Sequence, residues 1–300
     1  DGLCALYRGL GPDALCRTCH SYPRHTEEFE NVREITLSVS CPEVARILMN
    51  RTQPVHFLET EDAREEQYGA FDYFLYECLC DARAVMLDIL QNRSLDMDVR
   101  LLLVLGIAHD LERRYRNGCL FETDDVLRRA QSGIMLPKVM QHLEHHRADN
   151  SRNYALAKRN FYRLCDLERL RDDWDQLLIE TQMLLYVQGA AGYARVHEEF
   201  AQWCGAQYPQ LDIQLEQLAV YFISTYFAGA VYDGRIYNKA DTAVAYLALL
   251  YDLFTARWLK NERDLNTEDV IELVYRFSRE IEHSDPNLEK MEHYQWWRID

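Results

Sequence analysis

The 300-residue chain lacks any apolar run long enough to span a bilayer, which takes about 20 residues. Its most apolar segment, Ala240 to Leu259, is interrupted by Asp241, Asp252 and Arg257 and reads as a buried helix. Glycine (12) and proline (7) are scarce, which argues against a loop-rich β architecture. Positive charge is in deficit: 33 Lys and Arg face 49 Asp and Glu, for a formal charge of -16. Such a chain repels the phosphate backbone, so nucleic acid is not an expected partner. There is no internal repeat, no basic-plus-apolar secretory start, and no HExxH, GxSxG or P-loop motif. The absence of a Gly-rich loop after a strand also excludes a conventional Rossmann-type site. The first residues, DGLCALY, carry no initiator Met and read as the middle of a longer protein, so a fragment lacking its upstream part is expected.

What is present is a long helical pattern. Apolar residues are 48% of the chain, enough for a substantial core. From Ala63 onward they recur three and four apart, through Phe71, Phe74, Leu75, Cys78, Leu79, Ala82, Val85, Met86 and Ile89. Asp96 caps a second helix that closes at Asn117-Gly118, and a third starts at Thr123 and runs to about His146, its middle disturbed by Gly133 and Pro137. Further helices read at about 165–188, 193–206, 211–232, 238–260 and 267–283, the last opened by a capping box at Asn266. Before all of these, Glu34 to Ser40 alternates as a short strand, and a helix starts at Pro42. The expected fold is mainly α: a multi-helix body over 61–300 and a small irregular cysteine-rich N-terminal head over 1–60.

The nine cysteines fall at 4, 16, 19, 41, 78, 80, 119, 165 and 204. An odd number spread through helices does not suit a secreted disulfide scaffold, and a cytoplasmic location is the expectation. Four of them fall within the first 41 residues, with the spacing Cys4-x11-Cys16-x2-Cys19-x21-Cys41. Thiolates select zinc or iron–sulfur over hard cations. A zinc site favours two close pairs, whereas an iron–sulfur cluster tolerates irregular gaps, so both readings stand beside that of buried structural thiols. Cys16-Arg-Thr-Cys19-His20 also has the form of a c-type haem attachment site, with His20 as proximal ligand. In the body, His109-Asp110 is similar to the metal-binding pair of helical phosphohydrolases, with His142, His145 and His146 as conceivable partners, but His109 follows LLLVLGIA and reads as the end of an apolar face.

Several stretches together resemble one family. Asp1-Gly-Leu-Cys-Ala-Leu-Tyr7, Cys19-His-Ser-Tyr-Pro-Arg24, Leu37-Ser-Val-Ser-Cys-Pro-Glu43, Tyr232-Asp-Gly-Arg-Ile-Tyr237 and Phe277-Ser-Arg-Glu-Ile-Glu-His283 resemble flagellin lysine-N-methylases. The resemblance implies methyl transfer from S-adenosylmethionine to lysine side chains of flagellin, with an iron–sulfur cluster of the 4Fe-4S type implicated. It matches Cys4, Cys19 and Cys41 to family cysteines, with Cys16 at a position that is not always cysteine. Zinc is the alternative metal, and a non-catalytic helical module that recognises flagellin through a structural metal head is the alternative function. No membrane partner is implied.

Methylating a lysine requires its neutral amine, and a free lysine is almost fully charged near neutral pH. A base, an aromatic lining or desolvation must therefore be supplied. Two stretches offer these groups. Tyr232 and Asp233 follow a strongly apolar helix, Tyr232 as a lining for the lysine stem and Asp233 near the donor. Arg279, Glu280 and His283 fall within little more than one helical turn. Glu280 or His283 is the expected base, with Arg279 orienting the donor.

Overall fold

The computed structural model describes residues 5–61, 63, 65 and 69–296. Cys4, one of the expected metal ligands, lies outside the described residues. The elements run α1 (Ala5–Leu10), α2 (Arg17–Ser21), β1 (Arg24–Phe29), β2 (Val32–Leu37), α3 (Pro42–Met49), α4 (Tyr73–Leu90), α5 (Met97–Arg116), α6 (Thr123–Gln131), α7 (Leu136–Ala148) and α8 (Asn150–Cys165). They continue as α9 (Asp172–Thr181), α10 (Gly189–Gln207), α11 (Gln210–Tyr226), α12 (Ala230–Asp233), α13 (Ile236–Lys260), α14 (Thr267–Glu282) and α15 (Asp285–His293). A π-helical turn, Gln182–Tyr186, joins α9 to α10.

Helix α13 forms the axis. Leu247, Leu250, Leu253, Phe254 and Trp258 are all buried along it, and α5, α11, α14, α8 and α9 pack around it. A helix apolar on every side has no solvated face and must be surrounded. Helix α11 is buried almost as completely, from Leu211 to Thr225. The outer helices are amphipathic and lay one stripe on this pair. Helix α14 shows this best: Val270, Ile271, Val274, Phe277, Ser278 and Ile281 are buried at helical spacing. Its start is fixed by Asn266, whose side chain accepts from the Glu268 and Asp269 amides while Asp269 accepts from the Asn266 amide.

The mainly helical expectation is met, with local differences. The strand near Glu34 is β2, and it pairs antiparallel with β1 in the register Arg24↔Leu37 to Phe29↔Val32. Its partner reads RHTEEF, too charged to stand out as a strand. The helix expected from Ala63 starts at Tyr73, where Asp72 accepts from the Leu75 amide at 2.9 Å. The helix expected across Thr123 to His146 divides into α6 and α7, because Gly133 adopts the left-handed conformation (φ 76°) and Pro137 follows. Helix α8 is unexpected. Only Tyr154, Ala157, Phe161 and Leu164 mark its inner face among polar neighbours, and Asp149 caps it by accepting from the Arg152 amide.

The cysteine-rich metal head is corrected by the structure. Cys16 caps the start of α2, and its thiol lies 3.5 Å from that of Cys19, a closeness that one helical turn produces by itself. Cys41 caps α3 instead. Cys78 and Cys204 are buried in the helical body, and Cys80, Cys119 and Cys165 are dispersed over α4, the segment after α5, and α8.

The segments before α4 are fastened to the helices. Helix α3 packs on α14 and α11. Phe29, 1% exposed, sits 5.0 Å from the Tyr76 ring. Glu34 of β2 accepts two hydrogen bonds from the Arg83 guanidinium of α4. Deeper in the body, Glu216 of α11 is fully buried and accepts from Arg93 at 2.8 Å and from Arg100 at 3.0 Å. Arg100 is itself buried, so removing Glu216 leaves an uncompensated charge inside. We expect Glu216→Ala to cost about 3–5 kcal/mol in urea unfolding, and Arg93→Ala, whose side chain is 39% exposed, to cost less. Equal losses for the two would show that Arg93, not the buried Arg100, carries the penalty.

Candidate functional site

Beyond β2 the chain turns sharply before α3. The Ser38 hydroxyl accepts the Ser40 amide at 3.3 Å, a local side-chain turn, and the Ser38 carbonyl accepts the Cys41 amide at 3.2 Å. Val39 points into the core, fully buried, and its amide donates to the Tyr221 hydroxyl at 3.4 Å. The turn holds two serine hydroxyls against the C-terminal end of α14.

Three groups of α14 and its cap, Glu282, Arg279 and His283, meet there. The Ser38 hydroxyl donates to Glu282 Oε2 at 2.6 Å, and the Tyr221 hydroxyl donates to both Glu282 oxygens at 3.1 and 3.0 Å. His283 Nε2 lies 2.9 Å from the Ser40 hydroxyl, and Arg279 Nε donates to the Ser40 carbonyl at 2.9 Å. Glu280 faces elsewhere: it is 2% exposed and accepts the Leu170 amide at 2.9 Å. Residues two apart on an α-helix are separated by about 200°, so Glu280 and Glu282 cannot serve one site.

A cleft of about 620 Å³ opens beside this cluster, lined by Tyr22, Cys19, Leu170, Arg171, Arg279 and His283, with α1 across it. Tyr22 sets its ring edge-on to His283 at 5.7 Å and brings its hydroxyl within 3.3 Å of Ser40. The Arg279 guanidinium lies over the Tyr275 ring at 4.9 Å, which orients it. Arg171 bonds to Asp173 at 3.1 Å. Two guanidiniums at one cleft suit a carboxylate group on a ligand.

Electrostatics separate the roles of these groups. Burial lowers the His283 pKa, and the charge of Arg279 adds to this, so the ring is neutral near pH 7. Burial raises the Glu282 pKa, against hydrogen bonds from Ser38 and Tyr221 that lower it. Burial also drives the Tyr221 hydroxyl far above its ordinary value, so it remains a neutral donor.

The other sequence candidates sit elsewhere. Tyr232 donates to the Glu28 carbonyl and stacks on Phe29 at 5.8 Å. Asp233 accepts the Arg235 amide at 2.9 Å and lies 3.5 Å from Lys239. Neither lines the cleft. Ser38, Ser40, Tyr22 and Glu282 do not figure among the sequence candidates. They do fall in or beside the stretches that carry the family resemblance, but nothing in the sequence joins Ser38 to Glu282, 244 positions away.

An iron–sulfur or zinc centre does not fit the described residues. Among the described residues no three His, Cys, Asp or Glu side chains come together to hold a metal ion. Of the expected ligands, only Cys16 and Cys19 form a close pair, and Cys4 lies outside the described residues. The cluster assistance to methyl transfer, and with it the metal-headed alternative, is withdrawn on that ground.

A helical bundle whose cleft is edged by arginine, histidine and tyrosine now meets its relatives. The family model of the FliB lysine N-methylase C-terminal domain matches residues 83–296, more than two thirds of the chain. The chain belongs to this family. It is 40% identical over 50 residues to the flagellar biosynthetic protein FliU of Salmonella muenchen, a stretch that covers 17% of this chain and 30% of FliU. Over a stretch of the same length and identity it is similar to the lysine-N-methylases of Salmonella typhimurium and Salmonella choleraesuis, covering 12% of each. The aligned stretch thus spans less than a third of these relatives. No solved structure matches the chain. No helix among the described residues is long and apolar enough to cross a membrane.

The raised Glu282 pKa predicts a pH-dependent stability. Its neutral form is favoured by the fold, so its contribution is complete below the unfolded value of about 4.3 and is lost as pH rises through the folded value. Glu282→Gln should therefore melt progressively higher than the wild type as pH increases from that point. A melting difference that stays constant with pH would show that the carboxyl is not destabilised by burial.

Proposed function

We propose that this chain carries out lysine N-methylation on a flagellar protein, flagellin, with the cleft at the end of α14 as its active site. Membership of the lysine N-methylase family supports the reaction class. The flagellar name of the Salmonella muenchen relative supports the substrate. The observation that carries the site is the His283 imidazole beside an oriented guanidinium, Arg279, on one cleft wall, with burial and the Arg279 charge lowering the imidazole pKa.

The chemistry follows from these two groups. A lysine ammonium cannot attack a methyl group until it loses a proton. His283 accepts that proton, since its lowered pKa keeps a lone pair available near neutral pH. Arg279 takes the carboxylate end of the methyl donor, S-adenosylmethionine in this reading, and so sets the methyl towards the amine. Glu280 maintains the wall by holding the Leu170 amide beside Arg171. The amine then displaces the thioether, forming an N–C bond as the S–C bond breaks. A cytoplasmic site of action accompanies the reading, in keeping with an odd number of cysteines spread through the helices.

The test is methyl transfer from S-adenosylmethionine to purified flagellin, followed by mass spectrometry of its lysine peptides. His283→Ala should lower the rate roughly 10²–10⁴-fold, and Arg279→Ala should raise the donor concentration needed for half-maximal rate. Absence of transfer by the wild-type protein, or full activity of His283→Ala, would remove the assignment.

A further inference from the structure

Behind His283 lies an unbroken line of hydrogen-bonding atoms. His283 Nε2 is 2.9 Å from Ser40 Oγ, Ser40 Oγ is 2.7 Å from Ser38 Oγ, and Ser38 Oγ is 2.6 Å from Glu282 Oε2. A hydroxyl has one proton and two lone pairs, and at Ser38 all three are assigned when Glu282 is ionised. One lone pair accepts the Ser40 amide at 3.3 Å. The Tyr221 hydroxyl also lies within reach of Ser38, but the carboxylate at 2.6 Å can only accept and is the stronger acceptor, so the Ser38 proton goes to Glu282. The remaining lone pair must therefore accept the Ser40 hydroxyl proton. Ser40 has then spent its only proton, and both the Tyr22 hydroxyl and His283 Nε2 must donate to it. The imidazole is thereby fixed as the Nε2–H tautomer, which leaves Nδ1 as its basic atom.

We propose that Glu282 is the final proton acceptor of the cleft, reached from His283 through the hydroxyls of Ser40 and Ser38. The proposal rests on the lysine N-methylation reading for the identity of the proton's source. An ammonium N–H bond breaks as the His283 Nδ1–H bond forms. The Nε2 proton passes to Ser40, the Ser40 proton to Ser38, and the Ser38 proton to Glu282. The net change is one ammonium and one carboxylate converted to a neutral amine and a neutral acid, with each hydroxyl left intact and its direction reversed. Both starting charges are disfavoured away from water, so their mutual neutralisation is favoured there.

The surroundings of Glu282 agree with a group built to take up a proton. Tyr221 and Tyr226 of α11, Ser278 of α14, Tyr246 of α13 and His25 of β1 face it, together with Ser38. None of these carries a fixed positive charge in direct contact with the carboxylate. Tyr221 holds both oxygens in place and, with its own proton firmly bound, does not compete for the one that arrives.

Two readouts on the whole chain separate this relay from the methylase reading. The first is ¹⁵N NMR of the histidine rings. The wild type should show His283 as the Nε2–H tautomer when neutral, Ser38→Ala and Ser40→Ala should lose that preference, and Ser40→Thr, which keeps the hydroxyl, should restore it. Glu282→Gln should lower the His283 titration midpoint. An Nδ1–H tautomer in the wild type, or a midpoint unmoved in Glu282→Gln, overturns the relay whether or not methylation occurs. The second is the pH profile of methyl transfer to flagellin. Glu282→Gln and Ser40→Ala should each lower the rate roughly 10²-fold and alter the acid limb, with the half-saturating flagellin concentration unchanged and with Ser40→Thr active. Wild-type transfer that is unaffected in Glu282→Gln overturns the relay and leaves the methylase reading standing. No wild-type transfer, together with the expected tautomer and midpoint shift, removes the methylase reading and supports the wire.

Discussion

The contact between Ser38 and Glu282 joins the two ends of the described chain. On one side is the turn that follows the β-hairpin, and on the other the last turn of α14. Glu282 is desolvated at this position, so its oxygens require hydrogen-bond donors, and Ser38 and Tyr221 supply them. That requirement fixes the position of the turn. The turn in turn presents Ser40 to His283 and its carbonyl to Arg279. The cleft wall is thus a consequence of satisfying one buried carboxyl.

The rest of the bundle makes that contact stable enough to be useful. Helices α13 and α11 are enclosed on nearly every side, and α14 lies on α13 through its buried stripe. Tyr221 is part of α11, so the hydroxyl that grips Glu282 is set by the most buried pair of helices in the fold. The Glu216 ion cluster ties α11 to Arg93, in the segment after α4, and to Arg100 on α5. A polar site at the bundle end therefore inherits the rigidity of the core, as precise hydrogen-bond geometry demands. The same packing explains why α3 and the hairpin do not behave as a separate metal-bound unit: they are held by Arg83, Tyr76 and α14 through ion pairs, rings and apolar contacts.

Much of the helical framework is legible in the sequence. The apolar spacing of α4, α5, α13 and α14 and the capping box at Asn266 each depend on neighbours within one or two turns. Helix α8 and strand β1 are not legible, since one has a thin apolar stripe and the other alternates charged residues. At the site, Arg279 and His283 stand out as a local group on one helix. Glu282, between them, does not, because its importance comes from Ser38 and Tyr221. The cysteine spacing is a further lesson. Cys16 and Cys19 are close because a helix starts there, and closeness in sequence to Cys41 does not bring a third thiol to them.

The sequence by itself determined a mainly helical chain, its strongest helix boundaries, an acidic character, and a resemblance to lysine N-methylases. These are properties of composition and of short-range pattern, where each residue is constrained by others a few positions away. Tertiary structure alone decided which face of α14 meets the serine turn, that Glu280 holds the Leu170 amide while Glu282 receives Ser38 and Tyr221, and that the described cysteines do not gather into a metal site. These outcomes depend on contacts between residues far apart in the chain, selected by the need to bury α11 and α13 and to give every buried polar group a partner. No local pattern contains that information.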